Sequence, residues 1–285
     1  MEAAEVEPQG RRQALGGFVE KWIAGEPELG IALNFLPRSQ RDGVAAWACV
    51  VREIAHATFS IREADVAQVK LNWWHEELLG SGQGEPRHPL TQALAARFDL
   101  SSVPSASWQA VIATALQQRE RDPAADFASQ IADFGQSFAT FASIESILFE
   151  SRDVGVAAKV DSLVHALREV ANIARVLENG HLALPLDLLA RHRLRRDQLG
   201  VDSPERRRAA SEQLQAIAAG FDQLAATNPA LALTHRANLL ANRWRASKAA
   251  SASDPVAALA RQLPKLSMTT TWRIWRAARN VQPGS

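Results

Sequence analysis

The chain has 285 residues, 47% of them apolar and 22% charged, with 32 basic against 31 acidic side chains. That length fits one large domain or two modest ones, no run approaches the roughly 18 consecutive apolar residues of a membrane-spanning helix, and the acidic opening MEAAEVEPQGRRQ lacks the basic flank and apolar stretch of a secretion signal. The single cysteine, Cys49, excludes an internal disulfide and any cysteine-built zinc or iron–sulfur site, so a reducing, cytoplasmic setting is expected.

Fifty-two alanines, 15 glycines and no tyrosine predict a chain that is almost entirely helical, because Ala is the strongest helix former and aromatic residues favour strands. After a flexible acidic start over residues 1–10, Leu15, Phe18, Val19 and Trp22 recur at helical spacing, and Gly25 with Pro27 ends that helix. A loop is predicted to run to Pro37. From about residue 40 to 59, Val44, Trp47, Ala48, Val51, Ile54, Ala55 and Thr58 mark one face of a buried helix, and a second begins at Ile61. Three glycines and a proline between Gly80 and Pro86 predict a solvent-exposed linker. Helical patterns follow over 89–98, 105–121, 124–151, 154–178, 203–226, 229–250 and 254–281. No fixed-period repeat and no long linker appear, so residues 11–281 read as one all-α domain of ten to twelve helices.

The net charge of +1 hides an asymmetry: residues 1–185 carry 16 basic and 24 acidic side chains, whereas 186–285 carry 16 and 7. The simplest expectation is that the basic third faces the acidic part of its own fold, with phosphates or an anionic bilayer as the alternative partners.

Several chemistries lack their residues. His75-Glu76-Glu77-Leu78-Leu79 begins like a zinc-protease helix but has Leu79 where the second histidine is needed. The glycine-rich segment follows a helix rather than a strand, which argues against a phosphate-binding loop. There is no G-x-S-x-G elbow and no cysteine–histidine motif, and the seven histidines read as surface or interhelical residues. The basic clusters around Arg193 and Arg207 lack a groove-reading module, so nucleic acid is not an expected partner. Trp272-Arg273-Ile274-Trp275-Arg276 would suit the headgroup level of a bilayer, although core packing of both tryptophans is the favoured expectation.

Specific motifs emerge around residues 35–94. Phe35-Leu-Pro37-Arg38-Ser-Gln-Arg41, Ala46-Trp47-Ala48, Lys70-Leu-Asn-Trp73-Trp74-His-Glu-Glu77-Leu78 and His88-Pro89-Leu-Thr-Gln-Ala93-Leu94 follow in an order that resembles the squalene/phytoene synthases. Asn172-Ile-Ala-Arg175 and Leu184-Pro185-Leu-Asp187-Leu-Leu189 are similar to that family's N-I-L-R and L-P-x-D/E-x-L segments, and the Trp- and Arg-rich end is similar as well. The resemblance implies an isoprenoid-synthase helical bundle around a central cavity, in which two prenyl diphosphates are joined head to head. It also implies magnesium ions held by two Asp-rich motifs on facing helices, since carboxylates four apart share one helix face.

Those motifs are where the sequence departs. The first falls on Arg52 to His56 or on Ile54 to Thr58, with no aspartate between Asp42 and Asp65; in the second, Val176 follows Arg175 where the family has aspartate. Losing even one preorganised electrostatic element typically costs ~3 to 4 kcal/mol of barrier. The expected function is therefore that of a degenerate relative, similar to the branch that includes complex I assembly factors, binding a prenyl or other lipid or a protein partner without a metal cofactor. Phe35, Arg41, Trp74, Asn172 and Arg175 are the candidate ligand-binding residues. The alternative is an active magnesium-dependent prenyltransferase in which Glu53, Glu76 or Glu77 supplies replacement carboxylates.

Overall fold

The structure, a computed structural model, describes residues 15–149, 153–227 and 230–281. The flexible start expected for residues 1–10 lies outside the described residues. Among the described residues there are fourteen α-helices, two short 3₁₀ turns and no strand. The helices are α1 (15–23), α2 (Pro27–Phe35), α3 (Arg38–Phe59), α4 (Ala64–Gly82), α5 (Pro89–Ala95), α6 (Ser105–Arg119) and α7 (Phe127–Leu148). They continue as α8 (Val154–Ala171), α9 (Ile173–Glu178), α10 (Leu186–Arg191), α11 (Pro204–Ala226), α12 (Leu233–Ala250), α13 (Pro255–Gln262) and α14 (Met268–Val281).

The helices exceed the expected ten to twelve because two predicted helices divide and two more, α2 and α10, form where none is predicted. Pro27 does not merely end α1; it occupies the first turn of α2, where its missing N–H costs nothing, and the predicted loop to Pro37 is therefore helical. Asn172, at φ −114° and ψ 27°, breaks the predicted 154–178 helix into α8 and α9. Pro264 lies in the break between α13 and α14. Side-chain caps fix other starts: Asp126, Ser203 and Asp254 accept from the backbone N–H of Ser129, Arg206 and Ala257. Residues 61–63 remain outside α4, which starts at Ala64 rather than at Ile61.

The predicted linker at 80–86 is only half linker. α4 continues through Gly82, and a Cβ there would come within 2.9 Å of Trp108 Nε1, so the glycine is kept for close packing against α6. Gly84, at φ 89°, then reverses the chain. The backbone N–H groups of Arg87 and His88 both donate to Glu77 Oε1 at 2.9 Å, which leaves this turn with its own carboxylate instead of a phosphate.

α7 packs along α8 and α11 along α12, while α12 also contacts α2, α8 and α14. One apolar cluster runs through most of the bundle, including Trp47, Trp74, Trp108, Phe134, Phe138 and Phe221. A smaller one joins Ala32 of α2, Leu233 and Ala237 of α12, and Ile274 and Ala278 of α14. The alanines let three backbones approach closely and leave the inward face of α14 a narrow stripe of Thr270, Ile274 and Ala278. Trp272 and Trp275 consequently lie on the outer face, 51% and 38% exposed, contrary to the expected core packing. Among the described residues no helix is long and apolar enough to cross a membrane.

Most ion pairs of the basic third are made within the third itself, which leaves its excess of positive charge in place. Arg191 pairs with Asp187 and Glu212, Arg206 and Arg207 with Asp202, and Arg243 with Asp222. Arg245 and His235 do reach the acidic part, at Glu28 and at Glu145 with Asp161.

Candidate functional site

α3, which carries Arg52 to His56, is joined to α8 through the chain's own charges, while Val176 lies on α9. Glu26, at the start of α2, is the buried link between α3 and α8. Arg52 of α3 grips its carboxylate with two nitrogens, Nε–Oε1 at 2.7 Å and Nη2–Oε2 at 2.8 Å, and Arg168 Nη1 of α8 approaches Oε1 at 2.5 Å. Burial alone would raise the Glu26 pKa, but Arg168 and Arg52 outweigh it and bring the carboxyl down to about 2. Arg168 is in turn pushed up: burial opposes its charge, and Glu26 more than compensates.

A second carboxylate on α3 is neutralised in the same way. Glu53 accepts from Lys21 Nζ at 2.6 Å, Trp22 Nε1 at 2.7 Å and Lys70 Nζ at 2.5 Å. Against the effect of burial, these donors hold it at about 2. His56, one turn on, is lowered by burial and by Lys70, with Lys21 and Arg175 adding to the effect. Beyond it His165 packs tilted against Phe59 and edge-on to Phe134, with centroids 4.2 Å and 4.6 Å apart.

This donor set does not fit a magnesium cluster. The ion requires several hard oxygens with free lone pairs, whereas the carboxylates here are spent on arginines, lysines and an indole. Among the described residues no group of three or more His, Cys, Asp or Glu side chains is arranged to share a metal ion. Of the replacement carboxylates considered from sequence, Glu53 is occupied as described, Glu76 is exposed, and Glu77 is buried and held by Arg87, His88 and Thr91.

Next to this charged layer lies a cavity of about 310 Å³ bounded by α2, α3, α7, α8, α12 and α14. Its wall is largely apolar, with Leu29, Phe35, Leu36, Val44, Trp47, Val51, Phe138, Phe149 and Leu233. One edge is polar. His235 Nε2 of α12 lies 3.1 Å from Asp161 Oδ2 and 3.3 Å from Glu145 Oε2, and Trp47 Nε1 donates to Glu145 Oε1 at 2.7 Å. Burial disfavours the charge on His235, yet Asp161 and Glu145 lift its pKa to about 9, so the imidazole is a cation at neutral pH. Glu145 is raised, chiefly by burial, and less so by Asp161.

Of the residues expected to bind a ligand, Phe35 lines this cavity. Arg41 donates to the carbonyls of Asn34 and Leu36, securing the end of α2. Trp74 is buried against Trp73 and His88 between α4 and α5. Asn172 donates to the Arg168 carbonyl, and both it and Arg175 are exposed. The structure thus does not gather these five around one ligand. The residues that do meet at the polar edge, Trp47, Glu145, Asp161 and His235, carry no local signal as a group. His235 and Asp161 are 74 positions apart, and no motif spacing links them.

Comparison with known proteins accords with this architecture. Residues 27–134 match the family described as squalene/phytoene synthase. Among solved structures, a dehydrosqualene synthase in complex with ligand is similar at TM-score 0.68 and 13% identity, over 96% of this chain and 98% of that one. The squalene synthase HpnC from Alicyclobacillus acidocaldarius is similar at TM-score 0.60 and 17% identity, over 90% of this chain and 96% of its own. No curated protein matches the sequence. The likeness to the squalene/phytoene synthase family is thus one of sequence over residues 27–134 and of fold along nearly the full length of the chain.

Proposed function

We propose that this protein is a family member that has given up metal-dependent prenyl transfer and holds a single apolar, prenyl-like ligand in its interior, close to a membrane surface. The observation that carries the reading is the pair of internal salt-bridge nodes, Glu26 with Arg52 and Arg168, and Glu53 with Lys21 and Lys70. The first joins α2, α3 and α8 and the second joins α1, α3 and α4, so neither carboxylate is free for the metal that ionising an allylic diphosphate would call for. The cavity beside them supports the second half of the proposal. At about 310 Å³ it stands at the lower end of the ~300–1,000 Å³ range of small-molecule sites, a size for one chain and not for the two that coupling brings together.

The outer face of α14 supports the membrane setting. Met268, Trp272 and Trp275 are exposed there, Arg276 lies over the Trp272 ring and Arg279 over Trp275, and Ala278 on the opposite face borders the cavity. Tryptophan interleaved with arginine suits the boundary between headgroups and acyl chains.

The test is incubation of the purified protein with farnesyl or geranylgeranyl diphosphate and magnesium, with organic extraction of the protein alongside. Absence of any coupled product together with a stoichiometric apolar molecule in the extract is the expected outcome. A hydrocarbon or cyclopropyl diphosphate product would overturn the proposal in favour of a working prenyltransferase.

A further inference from the structure

Two buried polar atoms at the cavity have no partner. His235 and Asn238 lie three residues apart on α12, on one helix face, and both border the cavity. His235 Nδ1 and Asn238 Oδ1 make no hydrogen bond, although both residues are at least 95% buried. With His235 protonated, Nδ1 is a donor; Asn238 Oδ1 is an acceptor. Buried polar groups without partners are rare in folded proteins, and each asks for a group that would satisfy it.

The surrounding charge narrows the choice. Four ionisable groups line the cavity: Arg52, whose charge is answered by Glu26, and Glu145, Asp161 and His235. Two carboxylates against one imidazolium leave that edge neutral to negative, depending on the proton of Glu145. A diphosphate or carboxylate head would meet repulsion there and would offer no donor to Asn238. An amine head would offer no acceptor to His235 once protonated. A hydroxyl both accepts and donates, carries no charge, and can hang from an apolar chain that fills the rest of the wall.

We infer that the cavity is a binding site for an apolar alcohol of prenyl type, its hydroxyl oxygen accepting from His235 Nδ1 and its hydroxyl hydrogen donating to Asn238 Oδ1. This rests on the reading of the cavity as a site for one apolar chain and specifies the head group of that chain.

Calorimetric titration with farnesol, farnesyl methyl ether and farnesyl diphosphate tests it on the unmodified protein. The ether keeps the chain and the acceptor but loses the donor. Farnesol should bind about tenfold more tightly than the ether, the scale of one buried hydrogen bond left unmade, and more tightly than the diphosphate. Asn238→Leu should weaken farnesol about tenfold and leave the ether within twofold of its original affinity. Equal binding of farnesol and ether, or an Asn238→Leu protein with unchanged preference, overturns the alcohol assignment while leaving the apolar cavity standing. Tighter binding of the diphosphate overturns it as well. Binding of neither the alcohol nor the ether removes both the assignment and the reading beneath it.

Discussion

Replacing Glu26 by glutamine examines the charged layer directly. The folded-state pKa of Glu26 is about 2 against an ordinary 4.5, and at about 1.36 kcal/mol per unit this difference corresponds to about 3 kcal/mol of stability. Its sign follows from the direction of the shift. A depressed carboxyl contributes fully above pH 4.5 and loses its contribution as the pH falls through 2, because acid discharges the partner that Arg52 and Arg168 require. The amide has the shape of the acid but not its charge, so at pH 7 Arg52 would lose its carboxylate and Arg168 would keep only the more distant Glu28, at 4.0 Å. Breaking one side of a buried pair typically costs ~3 to 5 kcal/mol, in line with the pKa argument. Urea unfolding followed by the helical circular dichroism signal, run on both proteins from pH 7 down to the lowest pH at which they stay folded, measures the difference. The variant should be less stable by about 3 kcal/mol at pH 7, and the gap should shrink as the pH drops towards 2. A gap below about 0.5 kcal/mol at pH 7, or one that does not change with pH, would refute the role assigned to Glu26.

His235 titrates in the opposite sense. Its folded pKa of about 9 lies above the ordinary 6.5, so the stabilisation it draws from Asp161 and Glu145 is complete below pH 6.5 and disappears as the pH rises through 9. The stability difference between the unmodified protein and His235→Asn should accordingly be large at pH 6 and small near pH 10; a difference constant across that range contradicts the ion-pair geometry. For the outer face of α14, the double substitution Trp272→Ala and Trp275→Ala should sharply reduce co-sedimentation with vesicles containing anionic lipid while the helical circular dichroism signal at about 25 °C is kept, since neither ring belongs to the buried core. Undiminished vesicle binding would remove α14 from the contact.

The cavity was the part least accessible to sequence reasoning, and the contrast between Phe35 and Arg41 shows why. Phe35 was singled out as an apolar residue in a family-like segment, and an apolar residue at the end of α2 has only the interior to face. Arg41 is a candidate for its charge, but an arginine reaches whichever acceptor is nearest, and here those are the carbonyls at the end of α2. Trp272 and Trp275 failed for a related reason. Hydrophobicity placed them inside, whereas the seam beneath α14 is built from alanines too close together to admit an indole.

By itself the sequence determined that the chain is helical, where most helices lie, and that no aspartate stands between Asp42 and Asp65. These are local properties, set by alanine content, 3.6-residue periodicity and the identity of residues at fixed spacing. Only the tertiary structure decided which charges meet around α3 and where the cavity lies. Glu26 meets Arg168 across 142 positions and His235 meets Asp161 across 74. A side-chain charge acts on whatever the fold brings within a few ångströms of it, and that neighbour leaves no trace in the adjoining sequence.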